Sequence, residues 1–84
     1  MTDVTLRRFK ILLAIEAART YPPTVRDIGR AAGLRSSSSV YAQLKTLESM
    51  GFVEWDRRRA RTLHLSNRGA AWLSMVREEM APRA

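Results

Sequence analysis

The sequence contains no cysteine, and it has one histidine, three prolines and four glycines among its 84 residues. The absence of cysteine excludes disulfides, thiol nucleophiles and cysteine-based zinc sites, and His64 alone cannot form a cluster of metal ligands. The longest uninterrupted apolar run, residues 11–15, is too short to span a bilayer or to form the core of a signal peptide. These absences favour a cytoplasmic protein that uses neither a metal nor another cofactor and has no membrane partner.

Acidic residues are scarce as well, because 8 Asp and Glu stand against 15 Lys and Arg, which gives a net charge of +7 and a pI near 11.3. Such an excess of positive charge on a small surface favours a polyanionic partner, although it could also serve only to keep the protein in solution. Hydrophobic residues make up 45% of the chain, which is enough for one modest core. We therefore expect a single domain over residues 1–84.

Apolar spacing predicts a first helix from about Leu6 to Arg19 with Thr5 as its N-cap. One apolar stripe of this helix is expected to face the core: Leu6, Phe9, Leu13 and Ala17. A second stripe is expected to leave extra apolar surface on another side: Val4, Ile11 and Ile15. The first helix should therefore contact two neighbours.

Three further helices are predicted over residues 25–32, 36–50 and 67–80, capped by Thr24, Ser36 and Ser66. Gly33 closes the second helix, so the second and third form a helix-turn-helix. Between the third and fourth helices, apolar and polar residues alternate on both sides of the charged segment 56–61, which predicts a short hairpin. The order is that of a winged helix-turn-helix domain, mainly α with a small β-hairpin.

The third helix is expected to be the recognition helix, which lies in the major groove with its N-terminal residues nearest the base edges. If Leu44 points inward, Ser38, Ala42 and Lys45 point away from the core. Ser39 and Tyr41 flank that outer face, although Tyr41 could instead pack against the protein.

Four consecutive serines, residues 36–39, open this helix. Their small side chains let the helix approach a duplex closely, and their hydroxyls can bond to bases or phosphates. We expect Ser36 and Ser37 to cap the helix or contact phosphate, and Ser38 and Ser39 to read bases. The alternative is that the serines only begin a helix beside a solvated loop.

The hairpin tip carries four arginines within five positions: Arg57, Arg58, Arg59 and Arg61. Like charges crowded on a turn repel one another unless a polyanion screens them, so the tip is expected to contact the DNA backbone or the minor groove. A solvated run of charge is the alternative.

The complete set of candidate DNA contacts is Thr24, Arg35, Ser36, Ser37, Ser38, Ser39, Tyr41, Ala42, Lys45, Arg57, Arg58, Arg59 and Arg61. No catalytic set accompanies them, because the acids are scattered over helix surfaces and caps, and His64 has no neighbouring cysteine or acid with which to form a site. We therefore expect a protein that is not an enzyme and has no evident small-molecule ligand.

Residues 22–56, PPTVRDIGRAAGLRSSSSVYAQLKTLESMGFVEWD, resemble the N-terminal DNA-binding domain of LexA repressors. The resemblance rests on the Pro-Pro-Thr before the second helix, on Gly33-Leu34 and Ser36 at the turn, and on the apolar ladder that ends at Gly51; with the first helix and the wing it extends over roughly residues 4–65. It implies a bacterial or phage-type repressor that binds a palindromic operator as a dimer. It also implies which positions face the operator: Ser36, Ser38, Ser39, Tyr41 and Ala42.

The chain departs from LexA repressors in two respects. It stops at Ala84, so the self-cleaving serine-lysine domain, which also dimerises those repressors, is not carried over, and Tyr41 and Ala42 replace the larger polar readers of some LexA proteins. After the wing comes LSNRG (65–69) and a fourth helix, similar to the segment that follows the wing in MarR-like and PadR-like regulators. We expect this helix and the first to form a homodimer interface from Ile11, Ile15, Trp72, Leu73, Val76 and Met80. The alternative is a monomer whose fourth helix only covers the core.

The function predicted from these residues is sequence-specific binding of double-stranded DNA, as a transcriptional repressor or regulator. One alternative is the DNA-targeting subunit of a recombination or replication complex. Another is a winged helix used as a protein-interaction module that inhibits or pairs with a regulator. The arginine-rich tip argues against the interaction module, because the centres of protein interfaces are depleted in charge.

Overall fold

In the computed structural model, which describes residues 2–18, 21–59 and 62–81, four helices surround one hydrophobic core and a two-stranded hairpin extends from it. The elements in chain order are α1 (Asp3–Ala17), α2 (Val25–Ala32), α3 (Ser37–Ser49), β1 (Val53–Glu54), β2 (His64–Leu65) and α4 (Asn67–Met80). The predicted winged helix-turn-helix architecture is confirmed. The wing, defined here as residues 53–65, follows the recognition helix directly.

Helix α1 begins three residues earlier than the sequence predicted. Its N-cap is Thr2, whose side chain accepts a hydrogen bond from the backbone N–H of Thr5, and Asp3 lies in the first turn near the positive end of the helix dipole. The prediction of Thr5 as the cap is therefore wrong, because Thr5 already lies inside the first turn. The helix ends at Ala17, two residues before the predicted Arg19, which lies outside the described residues.

The turn between α2 and α3 forms as predicted. Thr24 and Asp27 make a reciprocal capping box at the start of α2, and Gly33 adopts a left-handed conformation (φ 71°) at its end. The N–H of Leu34 then donates to the carbonyl of Gly29 at 2.8 Å, which closes the helix. A Cβ on Gly29 would lie 3.2 Å from Val40, so this glycine lets α2 and α3 pack closely.

The core contradicts the assignment of apolar stripes on α1. Ile11 is 0% exposed and Ile15 is 5% exposed, whereas Ala17 is exposed and Leu13 only half-buried. The extra apolar surface predicted on α1 is absent at Ile11 and Ile15, because α2 packs against one side of this helix and α4 with β2 against another. The prediction that α1 contacts two neighbours is confirmed, and each stripe buries part of its residues: Phe9 of the first, and Ile11 and Ile15 of the second.

Helix α4 covers the core with Leu73 and Val76, which are 0% and 4% exposed. These two side chains, like Ile11 and Ile15, are at most 5% exposed in the single chain, so they offer little surface to a second chain. The homodimer interface stays a prediction. Trp72 is half-buried and stacks on Phe52, with 5.5 Å between ring centroids. Met80 remains exposed.

The wing is held to the helices at its base. β1 and β2 are antiparallel, with Val53 opposite Leu65 and Glu54 opposite His64. At the start of α4 the backbone N–H of Ser66 donates to the carbonyl of Phe52 at 3.0 Å, and the Ser66 hydroxyl donates to the carbonyl of Gly51. Ser66 is therefore both the N-cap of α4 and the residue that joins this helix to the end of the recognition helix.

Candidate nucleic-acid interface

The outer face of α3 is uncharged or basic over its first turns. Val40, Leu44 and Leu47 are at most 2% exposed and point into the core, as predicted. The residues on the opposite side are exposed: Ser37, Ser38, Ser39, Tyr41, Ala42 and Lys45. No acid lies in the first turn, so this end of the helix can approach a phosphate backbone without repulsion from a carboxylate.

Two of the four serines are already hydrogen-bonded to each other. Ser36 caps α3 and accepts the backbone N–H of Ser39 at 3.2 Å, and the two hydroxyls lie 2.9 Å apart. For Ser37 and Ser38 no side-chain hydrogen bond occurs among the described residues, and both are exposed. The hydroxyl of Ser38 is therefore available for a hydrogen bond to DNA. The hydroxyl of Ser39 could bond to DNA only while it also takes part in the cap.

For Tyr41 the sequence left two alternatives open, exposure beside the outer face of α3 and packing against the protein, and the structure shows a combination of both. Its side chain is 46% exposed, yet its ring stacks on Trp55 at a centroid distance of 5.6 Å and an interplanar angle of 16°. Tyr41 therefore both contacts the protein and faces solvent. Sequence reasoning missed this contact, which joins positions fourteen residues apart.

The tip of the wing, residues 56–62, is closed by hydrogen bonds between its ends. Thr62 Oγ1 accepts the backbone N–H of Asp56 at 2.9 Å and donates to the Asp56 carbonyl at 2.8 Å. The Asp56 carboxylate also accepts the backbone N–H of Arg58 at 3.1 Å, and the Asp56 carbonyl accepts that of Arg59 at 3.0 Å. The backbone of Arg58 and Arg59 is thereby held by Asp56, while their side chains are exposed.

The wing arginines differ in how they are held. The guanidinium of Arg57 lies 4.9 Å from the centre of the Trp55 ring and 3.4 Å from the Glu48 carboxylate of α3. Arg58 approaches Asp56 at 3.5 Å, but its side chain is 91% exposed, and Arg59 is exposed as well. Arg61 lies outside the described residues. Arg58 and Arg59 are consequently the tip cations most available to a phosphate.

A basic cleft of about 530 Å³ between α2 and the start of α3 contains arginines that sequence reasoning missed. Arg26 and Arg30 line it together with the predicted residues Arg35, Ser36 and Ser37. A signal for the two missed arginines exists in the sequence, because they stand four residues apart on α2 and so share one face of that helix. The cleft enlarges the positive surface beside the serines.

Thr24 acts as a cap in this structure. Its hydroxyl accepts the backbone N–H of Asp27 at 3.1 Å, and the Asp27 carboxylate accepts the backbone N–H of Thr24 at 3.1 Å. These hydrogen bonds with Thr24, reinforced by the charges of Arg30 and Arg26, lower the pKa of Asp27 from its ordinary value. A DNA contact by Thr24 remains a prediction.

Within residues 2–18, 21–59 and 62–81, no group of three or more His, Asp or Glu side chains is arranged to hold a metal ion. In the same part of the chain, no helix combines the length and the apolar character needed to cross a membrane. His64 is exposed, and its Nε2 lies 3.9 Å from the carboxylate of Glu54 on the paired strand. The expectation that His64 has no neighbouring acid is therefore wrong, because the hairpin brings Glu54 opposite it. The concentration of serine and arginine around α3 and the wing is therefore the main chemical feature of the described surface.

Comparison with known proteins agrees with this geometry. The family described as the LexA DNA binding domain matches residues 1–62, which extend from before α1 to the end of the wing tip. The chain belongs to the LexA DNA-binding domain family. The resemblance inferred from residues 22–56 is thereby confirmed, and α4 lies outside the matched range.

Similar relatives include a LexA repressor of Nocardioides sp., which is 48% identical over 76% of this chain and 27% of its own length. A LexA repressor of Parafrankia sp. is 45% identical over 83% of this chain and 29% of its own length. One from Staphylococcus carnosus is 40% identical over 77% of this chain and 33% of its own length. The chain thus spans only about a quarter to a third of the length of these relatives.

Proposed function

We propose that this protein binds double-stranded DNA at a preferred sequence and represses transcription there. The observation that carries the proposal is the exposed, acid-free first turn of α3, with the arginine cleft beside it and with Arg57 of the wing 3.4 Å from Glu48 in the last turn of the same helix. Positive groups near both ends of an exposed helix can contact the phosphates that border a major groove. The similarity to proteins named LexA repressor supports repression as the outcome of binding.

The candidate DNA contacts fall into two roles. Wing arginines and the arginines of the α2–α3 cleft position the domain on phosphates, while Ser38, Tyr41 and Ala42 face the base edges from α3. Ser36 and Ser39 belong mainly to the cap, and Ser37, Lys45 and Thr24 stand near the phosphate backbone. The protein acts in the cytoplasm on DNA as a binding protein, without turnover and without a metal.

We propose further that two copies bind a palindromic site. The surface available for pairing is smaller than the sequence indicated and consists of Met80 and the exposed part of Trp72, with Met75 at 53% and Val4 at 52% exposure. So few exposed apolar side chains suit a weak contact that forms when DNA holds two copies side by side. Half-sites would then be separated by about one helical turn or a multiple of it.

Selection of bound sites from random duplex DNA tests the proposed function directly. We expect recovery of one related set of sequences and an affinity for them that falls steeply as salt rises, since several phosphate contacts release counterions. Recovery of no common sequence, with equal affinity for every duplex, would contradict base reading. Capture of no duplex at low salt would contradict DNA binding altogether and favour the protein-interaction alternative.

A further inference from the structure

A stack of two rings joins Tyr41 of α3 to the wing. The Tyr41 and Trp55 centroids are 5.6 Å apart and the rings are within 16° of parallel. Trp55 follows β1 directly and packs against the hydrophobic core, so its indole is fixed to the body of the domain. Tyr41, by contrast, is 46% exposed on the second turn of α3. The fixed ring therefore supports the exposed one.

The same indole also contacts the wing tip. The guanidinium carbon of Arg57 lies 4.9 Å from the centre of the Trp55 ring, and its Nη2 donates to Glu48 of α3 at 3.4 Å. Trp55 thus touches one side chain on each of the two elements that face DNA. Its contacts limit the orientations open to the Tyr41 phenol and to Arg57 before any duplex arrives.

An exposed tyrosine on a helix surface has several rotamers, and binding must select one of them at an entropic cost. A ring already stacked has lost that freedom in the free protein, so its contact with a base edge forms without further ordering. The phenol can donate or accept a hydrogen bond, and its ring can pack against a thymine methyl group. Both contacts require that the ring be held at one angle to the groove.

We propose that Trp55 is a positioning residue for DNA reading, which holds Tyr41 against the base edges and fixes the angle between the recognition helix and the wing. This inference rests on the proposed function, since it assigns Tyr41 a base-reading role in the complex. Trp55 itself does not need to touch DNA. Its effect should therefore appear in the preference between sequences more than in the affinity for DNA in general.

The test compares the affinity of each variant for the selected site with its affinity for an unrelated duplex at one salt concentration. Trp55→Leu should reduce the ratio of the two affinities by about tenfold, in the range of one lost base contact. Trp55→Phe, which keeps an aromatic ring under Tyr41, should retain most of the ratio. Tyr41→Leu should reduce the ratio as Trp55→Leu does, and the double variant should reduce it no further, because both changes remove the same contact.

Leu13→Ala is the control for a general loss of stability, because Leu13 is half-buried against the core on α1 and is not a candidate DNA contact. Its thermal midpoint should fall while its affinity ratio stays at the parent value. Should Trp55→Leu fail to fold, Trp55→Met carries the same expectation, since it preserves apolar volume without a ring.

An unchanged ratio in Trp55→Leu, or in Trp55→Met where it takes its place, would overturn the positioning role while leaving the proposed function intact. Additive losses in the double variant would overturn it as well. Failure of the parent chain to prefer any sequence would instead overturn both. The two failures are distinguished by the parent measurement alone.

Discussion

A Cβ placed on Gly69 would lie 2.0 Å from the carbonyl oxygen of Phe52, closer than any real contact of that kind. Gly69 lies in the first turn of α4, and its N–H donates to the Ser66 cap at 3.0 Å. The absence of a side chain is therefore what lets α4 begin directly against the strand that follows α3. The arrangement couples the end of the recognition helix to the fourth helix.

We expect Gly69→Ala to destabilise the fold by roughly 1 to 3 kcal/mol, because the added methyl group must displace backbone and not a flexible side chain. Urea unfolding measures the change. Ala71→Gly, at an exposed position two residues later, measures the helix-propensity difference by itself, which is about 0.5 to 1 kcal/mol. If Gly69→Ala were more stable than the parent by that propensity difference, the close contact with Phe52 would be refuted.

Asp27 should make stability depend on pH in the acid range. Hydrogen bonds with Thr24, with the charges of Arg30 and Arg26 behind them, lower the pKa of Asp27 in the folded chain below its ordinary value of 3.8. A lowered folded pKa means that the stabilisation is complete above that ordinary value and is lost as the pH falls through the folded pKa. Asp27→Asn should therefore be less stable than the parent at neutral pH, and the two should converge in acid.

Thermal midpoints between pH 7 and pH 2 measure this convergence. Asp3→Asn is the matched control, because it removes an exposed carboxylate from the first turn of α1, where no capping box forms. If the thermal midpoints of Asp27→Asn and the parent differ by the same amount at every pH in this range, the charge of the Asp27 carboxylate does not contribute to stability.

The wing arginines should not be equivalent in DNA binding. Arg59→Ala should weaken binding to all duplexes by a similar factor and lower the slope of log affinity against log salt by about 0.9, as expected for one lost phosphate contact. Arg57→Ala should lower that slope less, because its guanidinium is already engaged by Glu48 and Trp55. Titrations at four salt concentrations measure both slopes. Equal slopes for the two variants would show that Arg57 leaves its contacts to bind phosphate.

Ser38 and Ser36 should respond differently to substitution. Ser38→Leu should lower affinity for the preferred site by roughly 1 to 3 kcal/mol and affect unrelated DNA less, because a bulky side chain replaces an exposed hydroxyl at the groove. Ser36→Ala should instead lower folding stability by about 1 kcal/mol, the usual loss for an N-cap. Binding to the two duplexes and urea unfolding separate these effects. If Ser38→Leu lowers the affinity for both duplexes by the same factor, Ser38 does not read bases.

Pairing of two copies should depend on DNA. We expect sedimentation to find a monomer in free solution and two chains on one palindromic duplex, since few apolar side chains besides Met75 and Met80 are exposed on α4. Met80→Glu should leave binding to a single half-site unchanged and reduce cooperative binding to the palindrome. One chain per palindrome at saturating protein concentration would rule out the dimer.

The sequence predicted best those features that depend on neighbouring residues. Ser36, Thr24 and Ser66 cap helices and Gly33 ends one, because each interaction lies within a few positions of the residue that makes it. Helical periodicity also predicted that α1 has two neighbours. That the neighbours of Ile11 lie within the same chain could not be predicted in this way, since it depends on how α2, α4 and β2 pack around α1.

In the candidate site, too, the sequence predicted the local features and missed those that depend on packing between elements. The exposure of Ser38 and the apolar ladder of α3 follow from the period of a single helix, and the sequence predicted both. The support of Tyr41 by Trp55 joins an α-helix to a hairpin whose orientation is set by Ser66 and Gly69, so no local pattern contains it. The same holds for the cleft in which Arg26 meets the start of α3.

Closure of the wing tip by Asp56 and Thr62 has a consequence for how such domains diverge. Because these two residues complete the turn between themselves, Arg58 and Arg59 contribute to no part of the core and are free to change. Under the proposed function, exchanging them alters how strongly the domain binds the phosphate backbone at a given ionic strength and leaves the fold and the outer face of α3 as they are. Affinity and target sequence can thus evolve separately on one small scaffold.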